Sequence, residues 1–212
     1  MVKKKFCLVG IDNDFVDLLE DNQSKFVGYF SEKKRIYKFL KNRKKWLGKH
    51  NKENWQKIKK KYNPNVIITI DNSKIREKLF KDIYKKNCKN YFFKNSLISK
   101  STQKKLKNKF GIVVQSHSKI MPNVNINSGV KIHIAVQIHH DCFIDEFATI
   151  APKALLLGNV KIGKHAYVGA NTTIKQKVKI GEGAIVGAGS VVVRNVKKYD
   201  VVAGVPAKSI KK

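Results

Sequence analysis

Proton transfer near neutral pH is the ordinary work of histidine, and the 212-residue chain has six: His50, His117, His133, His139, His140 and His165. His140 is followed by Asp141, and a carboxylate so placed can orient an imidazole or raise its basicity. Taken alone, the same pair also fits a solvent-facing polar turn. The three cysteines, Cys7, Cys88 and Cys142, cannot all pair, and their spacing suits neither a disulfide framework nor a zinc site. No metal is expected.

The element that must position His140 is a repeat. From residue 114 to 197 an aliphatic residue returns every six positions, at Val114, Ile120, Ile126, Ile132, Ile138, Ile144, Ile150, Leu156, Ile162, Val168, Ile174, Ile180, Val186 and Val192. Four residues after each anchor stands a small or medium side chain, as at Ser118, Val136, Cys142, Ala154 and Thr172. A period of six is neither the 3.6 of a helix nor the two of an ordinary strand. It predicts a parallel β-helix in which three hexads complete a turn, so that fourteen hexads give between four and five coils. Counted from Ile138, His140 and Asp141 fall on the exposed part of the hexad, while Cys142 turns inward as a packing thiol.

These hexads, the segment Ile138-His139-His140-Asp141-Cys142-Phe143-Ile144, the following Gly158-Asn159-Val160-Lys161-Ile162-Gly163 and the closing Val201-Val202-Ala203-Gly204-Val205-Pro206-Ala207-Lys208 resemble the hexapeptide-repeat acyltransferases. Within them the chain most resembles the sialic acid and bacillosamine (nucleotide-sugar) acetyltransferase family. The resemblance implies acetyl transfer from acetyl-CoA to an amino or hydroxyl group of a sugar, with His140 as general base and Asp141 as its helper. His139 is the alternative base. Many members carry a second histidine on the next hexad, reaching the acetyl carbonyl; Thr149 stands there in this chain, shorter but still a hydrogen-bond donor. The resemblance also implies coenzyme A along a groove between neighbouring subunits of a homotrimer, against Gly169, Ala170, Gly187 and Ala188. Glycines at these places also serve tight corners of a coil.

The front of the chain reads as strand, helix, strand: residues 5–10, a helix beginning at Asp14, and residues 25–30. A third strand over 65–70 is followed by Asp71-Asn72-Ser73 as a cap and a helix over 74–86. Tyr91-Phe92-Phe93 is expected to be a last strand. The expected fold is therefore a small Rossmann-like α/β domain over 1–95, a linker over 96–113, a single-stranded left-handed parallel β-helix over 114–197 and a C-terminal arm over 198–212.

In the family the first strand-helix turn is glycine-rich and approaches the nucleotide sugar. Here it reads Gly10-Ile11-Asp12-Asn13-Asp14, with one glycine and two carboxylates that would repel a pyrophosphate. By that match the substrate-binding positions are Gly10, Ile11, Asp12, Ser31, Asp71, Asn72 and Arg76. A capped helix with a surface arginine is an equal reading of Asn72 and Arg76. Tyr37, Phe39, Trp46 and Trp55, interleaved with lysines, could stack bases and are taken to pack on the small domain.

The formal net charge is +30, concentrated in front: residues 1–110 carry 31 Lys and Arg against 10 Asp and Glu, residues 111–212 carry 14 against 5. The lysines are scattered and no RNP box or zinc finger accompanies them, so no specific nucleic-acid partner is expected. Attraction of anionic nucleotide sugar and coenzyme A is. No run approaches the roughly twenty apolar residues of a membrane span, and the chain is read as cytoplasmic. Two other functions share this fold: a hexapeptide acyltransferase with another acyl donor or acceptor, and a non-catalytic β-helix scaffold.

Overall fold

The computed structural model describes residues 5–10, 25–33, 46–84 and 87–210. The chain divides into two units, Met1–Lys89 and Asn90–Lys212.

In the first unit β1 (Phe6–Val9), β2 (Phe26–Phe30) and β3 (Asn65–Ile68) form a parallel sheet in the order β2-β1-β3. All four residues of β1 are buried, as expected of a central parallel strand covered on both faces. Trp46 extends the sheet by a bridge to Tyr29, with Leu47 N–H donating to the Tyr29 carbonyl at 2.8 Å. Helix α1 (Lys52–Tyr62) is capped by Asn51 and stopped by Asn63 in the left-handed conformation. Of its residues only Trp55 is buried, edge-on to Tyr84 at 5.1 Å and to Phe30 at 6.4 Å. Trp55 thus packs; Tyr37 and Phe39 lie outside the described residues. Helix α2 (Ser73–Leu79) starts at Asn72 and widens into a π-turn over Phe80–Tyr84, where one regular helix is expected over 74–86; residues 85 and 86 lie outside the described ones. The helix expected from Asp14 also lies outside the described residues.

The second unit is the coil. Its two-residue strands are β4 (Tyr91–Phe92), β5 (Leu97–Ile98), β6 (Val113–Val114), β7 (Lys119–Ile120), β8 (Asn125–Ile126), β9 (Lys131–Ile132), β10 (Gln137–Ile138), β11 (Phe143–Ile144), β12 (Thr149–Ile150), β13 (Leu155–Leu156), β14 (Lys161–Ile162), β15 (Tyr167–Val168), β16 (Thr173–Ile174), β17 (Lys179–Ile180), β18 (Ile185–Val186) and β19 (Val191–Val192). They stack into three parallel faces: a six-stranded face β19-β16-β13-β10-β7-β5, a four-stranded face β17-β14-β11-β8, and an eight-stranded face that includes β18-β15-β12-β9-β6-β4. From β6 to β16 each strand pairs with the strand eighteen residues on, as Ile138 does with Leu156.

All fourteen anchors and the small residues four places later are buried in one continuous cluster with Ser118, Thr172 and Ser190. The alternation follows from the turn between faces. The residue three places after every anchor from Val114 to Val186 has a left-handed φ of 55–72°, from His117 through Asp141 and Asn159 to Gly189. That left-handed residue swings the chain through the corner and returns the next side chain to the interior.

Two expectations about this unit are corrected. Residues 96–113 are not a linker: Tyr91 pairs with Val113 and Leu97 with Lys119, so the coil starts at β4. Helix α3 (Lys100–Lys105) stands where the first coil's third strand would be, with Thr102 Oγ1 donating to the Met121 carbonyl at 2.9 Å. Nor does the C-terminal segment leave the coil as an arm. Strand β20 (Val201–Gly204) continues the eight-stranded face beside β18, and the chain turns back as β21 (Ala207–Ser209).

Candidate functional site

His140 and Asp141 occupy the corner that joins β10 on the six-stranded face to β11 on the four-stranded face. Asp141 is the corner's left-handed residue, φ 58°, a conformation that aspartate tolerates better than most side chains. Its carboxylate Oδ2 lies 2.7 Å from His140 Nδ1. The side chains are 56% and 46% exposed, so the pair is presented outward. With Nδ1 held by the carboxylate, Nε2 is the ring nitrogen left to take a proton.

The next coil closes over this corner from one side. Asn159 N–H donates to the His140 carbonyl at 3.0 Å, and Cys142 Sγ donates to the Leu157 carbonyl at 3.1 Å. Cys142 faces inward as expected, and burial pushes its thiol up to about 11. A protonated thiol at neutral pH is a hydrogen-bond donor and a poor nucleophile.

His139 is half-buried beside the pair. His117 is exposed, but two other histidines are not. His133 is buried, and the ring of His165 stacks on Phe147 at 5.9 Å. His50 pairs with Glu32 at 2.9 Å. Among the described residues no three His, Cys, Asp or Glu side chains converge on one point.

The positions expected to meet coenzyme A lie elsewhere on the prism. Thr149 is buried on β12, in the eight-stranded face, with its N–H on the Ala166 carbonyl at 3.0 Å. Gly169 and Ala170, and Gly187 and Ala188, lie at corners that join the eight-stranded face to the six-stranded one. A Cβ on Gly169 would stand 2.6 Å from Ala188 N and from the Val186 carbonyl oxygen, so its missing side chain makes room for the chain's own next coil. Ala188 is exposed and a Cβ on Gly189 would meet nothing, which leaves that corner open to solvent. One chain therefore carries these residues and His140 on different edges.

In the first unit the C-terminal ends of the three strands gather Gly10, Ser31 and residues 69–72, the edge at which an open parallel sheet takes ligands. Gly10 has φ +78°, and a Cβ there would meet Ile70 Cγ1 at 2.8 Å and Thr69 Oγ1 at 2.9 Å. Ile11 and Asp12 lie outside the described residues. Ser31 Oγ donates to the Lys33 carbonyl at 2.7 Å. Asn72 caps α2, its side chain accepting from Ile75 N–H at 3.0 Å. Arg76 is no surface arginine: it is buried, and Nη1 donates to the carbonyls of Ile70 and Asp71, both at 2.9 Å. Burial pulls its pKa down to about 10, with Asp71 pulling the other way. Arg76 therefore shapes the loop after β3 from beneath.

Comparison with known proteins agrees with this architecture. Residues 159–194 match the family described as bacterial transferase hexapeptide (six repeats). The chain is similar to the acetyltransferase domain of PglB from Neisseria gonorrhoeae, solved in complex with acetyl coenzyme A, at 21% identity and a TM-score of 0.84, covering 98% of this chain and 99% of that one. It is similar to PerB from Caulobacter crescentus, solved in complex with CoA and GDP-perosamine, at 19% identity and a TM-score of 0.84, covering 99% of each chain. WeeI from Acinetobacter baumannii gives 23% identity and a TM-score of 0.74, covering 98% of this chain and 100% of that one. What these proteins share with the chain is the fold, a small α/β domain followed by a left-handed parallel β-helix.

Proposed function

We propose that this chain is an acetyltransferase that moves an acetyl group from acetyl-CoA to an amino group of a nucleotide-activated sugar, by direct attack within a ternary complex. The observation that carries the reading is the 2.7 Å contact between His140 Nδ1 and Asp141, which holds the imidazole at an exposed corner and leaves Nε2 as its free nitrogen. Support comes from the fold shared over nearly the whole length with PglB, solved with acetyl coenzyme A, and with PerB, solved with CoA and GDP-perosamine.

In the reaction the acceptor nitrogen attacks the thioester carbonyl carbon. The C–N bond forms, the amine proton passes to His140 Nε2, and the C–S bond breaks as the tetrahedral intermediate collapses. The coenzyme leaves as a thiolate and takes up a proton. Asp141 fixes the ring and stabilises the imidazolium that forms, the combination by which a carboxylate assists a histidine base.

His140 lies on one edge of the prism, and the coenzyme-binding candidates Ala170 and Ala188 lie on another. A cleft holding both is completed by a neighbouring copy, and three copies about a closed threefold axis give three equivalent clefts. Within the small unit the positions proposed for the nucleotide sugar lie at the strand ends, where Gly10 leaves the backbone bare and Arg76 shapes the loop at Asp71 and Asn72. The net charge of +30 draws in both anionic substrates. The place for such a reaction is the cytoplasm, in assembly of surface glycans.

The test is a measurement of CoA release from acetyl-CoA with UDP-, GDP- and dTDP-linked amino sugars and with free sialic acid. At least one amino-sugar nucleotide should be turned over. His140→Ala should then lower kcat by about 10²–10⁴-fold. No turnover with any acceptor, or a His140→Ala rate within about threefold of the parent, contradicts the proposal.

A further inference from the structure

Gly158 is an anomaly in the repeat. The residue two places after an anchor is the first of the corner, and over the hexads it reads Ser116, Pro122, Ser128, Ile134, His140, Glu146, Pro152, then Gly158, and thereafter Lys164, Ala170, Gln176, Glu182, Ala188 and Arg194. Gly158 alone lacks a side chain there. The backbone does not require it, because the left-handed residue of that corner is Asn159, φ 62°, and Gly158 is not among the positive-φ glycines. Glycine at a position any residue could occupy weakens a fold through its greater chain entropy.

The cause lies one coil earlier. Gly158 follows His140 by eighteen residues and so stacks directly against it, and a Cβ on Gly158 would stand 2.8 Å from both Cε1 and Nε2 of the His140 ring. The rest of the Gly158 corner cannot retreat: Leu157 is tied to Cys142 and Asn159 to the His140 carbonyl. A methyl group here would meet the free end of a side chain rather than a backbone, so the imidazole yields and the coil does not.

We infer that Gly158 is a positioning residue for the base. Its bare Cα is the seat on which the Nε2 edge of His140 rests while Asp141 holds Nδ1, so that two coils fix the ring at opposite edges. The inference rests on His140 being the base, and it assigns Gly158 a steric task that backbone geometry does not explain.

The test is Gly158→Ala in the full chain, alone and combined with His140→Ala, followed by kcat, both KM values and the thermal midpoint. Gly158→Ala alone should lower kcat by about 10–100-fold, the effect of an ångström-scale misplacement, with little change in KM. In the His140→Ala background the same substitution should leave the residual rate unchanged, and the thermal midpoint should hold or rise, since the methyl enters vacated space and stiffens the unfolded chain. A Gly158→Ala variant as active as the parent beside an inactive His140→Ala overturns this inference alone. Equal loss of folding in both backgrounds overturns it too, by showing that the backbone needs the glycine. A fully active His140→Ala overturns the catalytic reading and this inference together.

Discussion

His140 Nδ1 and Asp141 Oδ2 stand 2.7 Å apart although the two residues are neighbours in sequence. Adjacent side chains in a strand point to opposite faces, and they meet here only because Asp141 turns the corner in the left-handed conformation. The corner thus converts a dipeptide into a hydrogen-bonded pair. Asp141→Asn keeps the shape, tolerates the same φ and removes the charge. The expected outcome is a kcat lower by about 10–100-fold, the worth of one charge-assisted hydrogen bond, with an unchanged unfolding midpoint. Steady-state kinetics beside urea denaturation checks this; a rate within twofold of the parent removes Asp141 from the mechanism.

The anchors carry the coil's stability. Ile162→Ala opens a cavity inside a fully buried stack and should destabilise the protein by about 2–5 kcal/mol. Asn125→Ala, at an exposed outward position of β8, should change stability by less than about 0.5 kcal/mol. Equal effects in chemical denaturation would contradict the assignment of interior and exterior.

Alkaline pH should loosen the fold through its thiols. Cys142 is held protonated up to about 11 against an ordinary 9.0, and burial likewise pushes Cys7 and Cys88 up. A group whose folded pKa is raised stabilises fully below its unfolded pKa, and that stability is lost as pH climbs through the folded value. The urea midpoint should therefore fall between pH 9 and pH 11, and less steeply in Cys142→Ser, which keeps a donor for the Leu157 carbonyl. An unchanged slope in that variant contradicts the account. At pH 8 a thiol reagent should label none of the three before denaturation. Nor can Cys7 and Cys88 pair: each flanks Val66 across the sheet, which sets them about 9–10 Å apart, beyond disulfide reach.

Arg76 holds the carbonyls of Ile70 and Asp71 in the loop after β3. Arg76→Met should destabilise the small unit by about 2–3 kcal/mol, the scale of losing hydrogen bonds to a charged donor in a buried place. It should also raise KM for the sugar acceptor more than for acetyl-CoA. Arg76→Lys should rescue poorly, since an ammonium lacks the planar fork. Matching KM changes for both substrates would show that the loop does not serve the acceptor.

How much of this could be read beforehand depends on what the period preserved. The anchors gave the coil because burial is required at each one, and within the regular repeat the neighbour of a position lies eighteen residues on, so Gly158 beneath His140 was there to be counted. The start of the coil was hidden because Phe92 and Val114 are partners twenty-two residues apart, the third strand being replaced by α3. Helix α1 is hidden in the sequence among its lysines. Only Trp55 of its eleven residues is buried, so no apolar stripe shows, although Asn51 as cap and Asn63-Pro64 as stop were visible. The depth of Arg76 left no trace in sequence, because nothing local distinguishes a buried guanidinium from a surface one.

The claim that a cleft is shared between copies is tested most directly by mixing two chains that are each defective. His140→Ala removes the base, and Ala188→Trp obstructs the open corner on the other edge; each alone should be nearly inactive. Co-refolded in equal amounts, they should recover about a quarter of the parent rate, because that share of clefts in a randomly mixed closed assembly takes His140 from one chain and Ala188 from the next. If mixing restores nothing while both variants fold and associate, the base and the coenzyme edge belong to a single copy, and the shared cleft is contradicted.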